Sequence, residues 1–222
     1  MRHVRDVLCV FALGLAASMP AMASSWPELP LPDDSQGEWV SRHMIHNGVP
    51  MRAARFQSQL PPAQLVRYYE QLWPGQVTVT DLGSKKIVAH GTNKHFFTIE
   101  ISGGAAGSEG QIGIVEVLKE TPRAEPGADF LKPSGTQVVT DTVYLDNPGR
   151  TLTMNVRMSP FQADGFYKSR LPERGWRSQD TKPCPMMALS CTASYSNGKE
   201  QMTLTFNRNG ETTDMVVNQI SR

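Results

Sequence analysis

The sequence predicts an α+β fold, a tandem duplication of a ββα-plus-antiparallel-strands module with one short helix per half packed on an antiparallel sheet. Two stretches carry the prediction. Leu60 to Gly75 (LPPAQLVRYYEQLWPG) and Ser159 to Trp176 (SPFQADGFYKSRLPERGW) each read as a short helix that leaves a β-hairpin and stops at a proline. They also align with each other. At an offset of 98, with no gap from Ala54 to Pro74, Phe56 falls on Met154, Pro62 on Pro160, Gln64 on Gln162, Tyr68-Tyr69 on Phe166-Tyr167 and Pro74 on Pro172. Further along, an offset of 105 places Phe97, Ile99 and Ile101 on Met202, Leu204 and Phe206. The extra length in the second copy coincides with the segment CPMMALSC.

Taken in order, residues 1–23 read as a secretory signal. Arg2, His3 and Arg5 form a basic start, Val7 to Ala17 an apolar run, and Ala21-Met22-Ala23 a small-x-small cleavage site. The run is shorter than the roughly 20 residues that span a bilayer, and no later stretch approaches that length, so no integral membrane segment is expected after cleavage. Cys9 lies inside the run, which argues against lipid attachment. Residues 24–37 (SSWPELPLPDDSQG) form a proline-rich arm with no apolar period.

The first module is expected over 38–118. Strands from Glu38 to His46 and Met51 to Gln59 flank Asn47-Gly48, a pair that tolerates the positive φ of a tight hairpin. Pro62 suits a first helical turn, and Leu65, Tyr68, Tyr69 and Leu72 share one face. Further strands follow at Gln76 to Thr80, Lys85 to His90, His95 to Ser102 and Gln111 to Leu118. Residues 119–136 (KETPRAEPGADFLKPSG and Thr136) lose periodicity and read as a linker. The second module, 137–222, repeats the pattern with strands Gln137 to Leu145 and Thr151 to Met158. Ser159 is placed to cap its helix, with Pro160 at the first position and Gln162 as capping-box partner.

The charge balance excludes a nucleic-acid footprint. Without the leader, the 22 Lys+Arg lose Arg2 and Arg5 and the 21 Asp+Glu lose Asp6, which leaves equal numbers of each sign. Two cysteines remain, Cys184 and Cys191, and in an oxidising compartment they read as a disulfide closing a short loop, 184–191. Met186, Met187 and Leu189 inside that loop either pack down onto the second module or are presented to a partner, because so small a loop cannot bury them in itself.

Catalytic chemistry finds no supporting pattern. Ser102-Gly103-Gly104 and Ser134-Gly135 lack a strand-turn-helix context, paired cysteines leave no thiol nucleophile, and Asp33-Asp34 and Glu116 with Glu120 read as solvated charge. Gly103 to Ser108 joins two strands instead of opening a helix, which makes it a hairpin loop and not a phosphate cradle. His43 and His46 point to opposite faces of a strand. His90 and His95 bracket the turn GTNK as surface histidines at a hairpin mouth, or as a two-ligand fragment of a metal site that lacks its remaining ligands. The aromatics Tyr68, Tyr69, Phe166, Tyr167 and Trp176 read as core, with a groove between modules as the alternative.

No cofactor is implied. The expectation is a periplasmic or secreted, non-enzymatic protein of the cell envelope that binds a protein partner, in a secretion or pilus-type assembly. A small-ligand or metal carrier, and a hydrolase with a dispersed site, are the alternatives.

Overall fold

Asn47 and Gly48 both adopt positive φ, 49° and 80°, and fold β1 (Ser35–His46) directly back on β2 (Val49–Ser58). This hairpin starts a computed structural model that describes residues 26–122, 124–179 and 182–221. The leader-like residues 1–23 lie outside the described residues. After β2 come α1 (Pro62–Leu72), β3 (Val77–Asp81), β4 (Lys85–Gly91), β5 (His95–Gly104) and β6 (Gly107–Glu116). The second half contains β7 (Gln137–Tyr144), β8 (Gly149–Val156), α2 (Pro160–Arg170) and a 3-10 turn (Pro172–Arg174). It ends with β9 (Arg177–Ser178), β10 (Ser190–Ser196), β11 (Glu200–Asn209) and β12 (Thr212–Ser221). The fold is α+β and mostly β.

All twelve strands form one antiparallel sheet, in the order β3-β4-β5-β6-β2-β1-β7-β8-β12-β11-β10-β9. Read outward from the middle, each half runs first, second, sixth, fifth, fourth, third strand of its own series. The join is short: Met44 pairs with Tyr144, Ile45 with Val143 and His46 with Thr142. Cross-strand partners share a face of a sheet. The row Met51–Met44–Tyr144–Gly149 therefore runs along one side, and it alternates with the core residues Ala54 and Leu152 on the other. Both helices consequently lie on the same side of the sheet, over two separate cores.

The first core gathers Phe56, Val88, Phe97, Ile99, Ile101, Ile112 and Ile114 under Leu65, Val66 and Tyr69 of α1. Leu72, expected on that buried face, is 42% exposed, and Val66 takes its place in the core. The arm is docked. Trp26, Leu29 and Leu31 pack against this core, and Gly37 leaves room for Leu31, whose Cδ1 would lie 2.6 Å from an added Cβ. The second core places Leu152, Met154, Leu204, Phe206, Met215 and Val217 under Ala163 and Tyr167 of α2. Ser159 caps α2 in the predicted capping box, accepting from the Gln162 N–H while its own N–H donates to Gln162 Oε1.

Several strand boundaries move. β5 and β6 run to within two residues of each other, so most of the glycine-rich segment is strand and only Ala105-Ala106 forms the turn. Gly107 is required there, because a Cβ would stand 2.5 Å from the carbonyl oxygens of Ser58 and Gln59. β10 and β12, which apolar alternation in the sequence did not delimit, complete the second half.

The join is closed by buried charge. Arg150 Nε and Nη2 donate to Asp141 at 2.8 and 2.7 Å, and its guanidinium also grips Asp129 in the inter-half segment. Burial alone would raise the Asp141 carboxyl, but the Arg150 bonds and the Gly127 N–H hold it below the ordinary carboxylate value. Replacing Asp141 by Asn leaves Arg150 without its inner partner and is expected to cost about 3 kcal/mol in denaturant unfolding. A carboxyl depressed in the folded state stabilises above its unfolded value of 3.8 and loses that contribution as pH falls through the folded value. The wild type should therefore lose this increment below about pH 4, and D141N should show a shallower acid limb.

A second prediction concerns Tyr69 and Tyr167, which are fully buried at matching positions 98 apart. Among the described residues neither hydroxyl has a hydrogen-bond partner. Burial pushes both phenols well above their ordinary value. Tyr→Phe at either site removes an unsatisfied polar group, so stability is expected to hold or rise by up to about 1 kcal/mol, read by thermal or urea unfolding.

Candidate functional site

The second half departs from the first most clearly between α2 and β10. Cys184 and Cys191 are disulfide-bonded with Cα atoms 5.8 Å apart, the pairing expected of the two cysteines that follow the leader-like segment. Cys184 is 5% exposed, and its N–H donates to Asp164 Oδ2 at 2.9 Å. Asp164 lies on the buried side of α2 with 2% of its surface exposed, and Lys168, one turn on, bonds the same oxygen at 2.9 Å. The far end is fixed by the sheet. Cys191 is in register with Phe206 in the β10–β11 ladder, and the Arg208 N–H donates to the Leu189 carbonyl at 2.7 Å. A turn from Ala188 N–H to the Pro185 carbonyl closes the middle of the loop.

Met186, Met187 and Leu189 point outward from this frame, 69%, 88% and 74% exposed. Packing onto the second module, one of the two expectations, is thereby overturned. The cause is geometric: the Asp164 anchor and the β10 register hold both ends of the loop near the protein surface, and the residues between arch away from it.

The aromatic residues are core and do not line a groove between halves. Tyr69 and Tyr167 belong to different cores, with Tyr68 packed against the first and Phe166 and Trp176 against the second. The histidines also move. His90 and His95 are 3% and 8% exposed, so the expected surface position is wrong. His90 stacks on Trp73 with ring centroids 4.1 Å apart, and its Nδ1–H donates to the Gln76 carbonyl. His95 packs against Trp26 of the docked arm, and burial lowers its basicity. Proline-rich composition concealed that arm, which supplies the covering ring. No group of three or more His, Cys, Asp or Glu side chains is placed to hold a metal among the described residues.

No family model, curated protein or solved structure matches the chain.

Sequence reasoning passed over Asp164, although a signal was available. At the offset of 98 it replaces Val66, a core residue of α1, and a carboxylate at a core-facing position demands a partner. The partners are Lys168 and the backbone of the disulfide loop, so the loop and the acid are one device. Among the described residues no helix is long and apolar enough to cross a membrane.

Asp164→Ala leaves the buried Cys184 N–H without its acceptor and should cost about 2 kcal/mol. Replacing both cysteines by Ser should cost about 2–3 kcal/mol, the entropy that so short a covalent loop removes from the unfolded chain. Either change should raise amide exchange selectively at 184–191, read by mass spectrometry, with little change in β11 and β12.

Proposed function

We propose that this chain is an exported, non-enzymatic accessory protein of the cell envelope, which binds a protein partner through the apolar tip of its disulfide loop in a secretion or pilus-type assembly. The observation that carries the reading is the exposure of Met186, Met187 and Leu189 on a loop tied down at both ends. A fixed apolar projection loses little conformational entropy when it is covered, and thioethers adapt to the shape of what covers them. A periplasmic or secreted location agrees with the leader-like first 23 residues and with a disulfide, which persists in oxidising compartments.

We read the two halves as copies of one module. Equal strand order supports this, and so does the join, because at an offset of 98 the pair Met44–Tyr144 becomes Thr142–His46, itself one of the three pairs. The Asn47 N–H to Asp141 carbonyl bond likewise maps onto the Leu145 N–H to His43 carbonyl bond. Copies that share a scaffold separate the residues needed for folding from those added to it. The disulfide loop is an addition.

The test is affinity capture from envelope extract with the mature chain, comparing wild type with Met186→Ser/Met187→Ser and placing a photo-crosslinker at Leu189. A protein enriched by wild type, crosslinked from the loop and lost at least tenfold with the double variant is expected. Equal recovery by both proteins, or no crosslinked partner, rejects the reading. The double variant should keep its melting temperature, since both side chains are exposed.

A further inference from the structure

The two ends of the sheet differ. At one end β9 has only two residues, Arg177 and Ser178, and the disulfide ring follows it closely. A short, charged edge strand of this kind blocks further pairing. At the other end β3 carries no lysine, arginine or proline, and among the described residues no strand pairs with its outer side. Its sequence, VTVTD, is built from the β-branched types that favour an extended chain.

The ladder fixes which groups are left over. The Leu82 N–H donates to the Lys85 carbonyl at 2.9 Å, so in the antiparallel register Thr80 and Thr78 bond β4, and the N–H and C=O groups of Val77, Val79 and Asp81 point outward. Val79 is opposite Val88, which is fully buried in the first core, so Val79 lies on the helix side and Thr78 and Thr80 on the other. α1 packs on β3 from the helix side, and its last residue, Leu72, stands just before β3 in the chain. Leu72 and Val79 are 42% and 38% exposed. Apolar surface that the first half leaves uncovered on its helix side therefore borders the unpaired edge.

The sequence of the edge specifies its occupant. Val-Thr-Val-Thr alternates the same way in both directions, so β3 complements itself. An antiparallel pair centred on Val79 uses every residue of the strand. Thr78 then faces Thr80 of the second copy, Val79 faces its own counterpart, and each Asp81 faces a valine instead of another acid. Threonine pairs and β-branched pairs are favourable cross-strand neighbours, and no like charges meet. In this register the outward residues of the two copies exchange their N–H and C=O groups. Without the leader-like residues the chain carries equal numbers of each sign, so two copies approach without net repulsion. A two-fold pair closes on itself, and the blunted β9 does not extend it.

We propose that two copies of this chain pair edge to edge through β3, in a two-fold register centred on Val79. The two sheets continue into one, with the helices of both copies on the same side and the disulfide loops toward its far ends. The pairing does not rest on the loop's role as a partner surface, since the two lie on different halves.

The test is sedimentation equilibrium of the mature chain over a range of concentrations, with a reversible monomer–dimer equilibrium expected. Val79→Lys and Val79→Glu should each raise the dissociation constant about tenfold or more, because like charges would meet at the two-fold. An equimolar mixture of the two variants should restore the dimer, as contact between Val79 and its own counterpart requires. Val79→Pro removes an N–H that does not serve β4, so it should weaken the dimer while circular dichroism shows unchanged folding. Met186→Ser/Met187→Ser should dimerise like wild type, which separates the edge from the loop. A chain that stays monomeric at every concentration, a dimer unaffected by Val79→Lys and Val79→Pro, no recovery on mixing, or loss of the dimer in the loop variant overturns the proposal. So does a photo-crosslinker at Val79 that captures another envelope protein and not a second copy.

Discussion

Everything in this sheet depends on a join of three residue pairs. Between β1 and β7 only Met44–Tyr144, Ile45–Val143 and His46–Thr142 are in register, too few to fix two halves on ladder bonds alone. The remaining constraint comes from the hairpin tips, each of which holds the other half's strand. Asn47 Oδ1 accepts from the Asp141 N–H, while Asp146 accepts from the Arg42 N–H and the Ser41 hydroxyl. Asp141 then passes the constraint inward through Arg150 to Asp129, so the segment between the halves is part of the same network. A continuous twelve-stranded sheet with both helices on one side follows from this register, because a slip of one residue would turn one half's core outward.

The elements most legible in the sequence were those set by local chemistry. Asn47-Gly48 and the Ser159–Gln162 box each need only a few neighbouring residues to specify a turn or a cap, and both occur as read. The disulfide was legible for a different reason, since reading the first 23 residues as a leader leaves two cysteines and one pairing. What local chemistry does not encode was missed. The burial of His90 and His95 depends on Trp73 and on Trp26 of an arm without periodicity, and no short-range pattern predicts that an arm will dock. The exposure of Leu72 has the same origin, because how far a helix's buried face extends depends on how it rolls on the sheet.

The candidate surfaces were less legible than the fold. The loop 184–191 was visible as an apolar insertion, yet its direction was not, since that rests on Asp164 reaching the Cys184 N–H from another element. Cross-strand neighbours on the outer face of the first half could not be found from sequence at all. Arg55, Gln111 and Glu100 lie on three strands that the chain visits in the order β2, β5, β6, and only strand pairing puts β6 between the other two.

The two halves can be compared as two answers to the same packing requirement. Where their residues agree in type, as at Tyr69 and Tyr167 or Pro62 and Pro160, the position serves a core or a helix start. One disagreement on the helices reaches the surface. On α2 an acid, Asp164, replaces the valine of α1 and holds a covalent loop. That loop adds stability of its own, because it buries Cys184 and closes a covalent ring, but the exposed Met186, Met187 and Leu189 add none. Folding energetics account for the shared positions and for the loop's two anchors, and not for the three exposed apolar side chains between them.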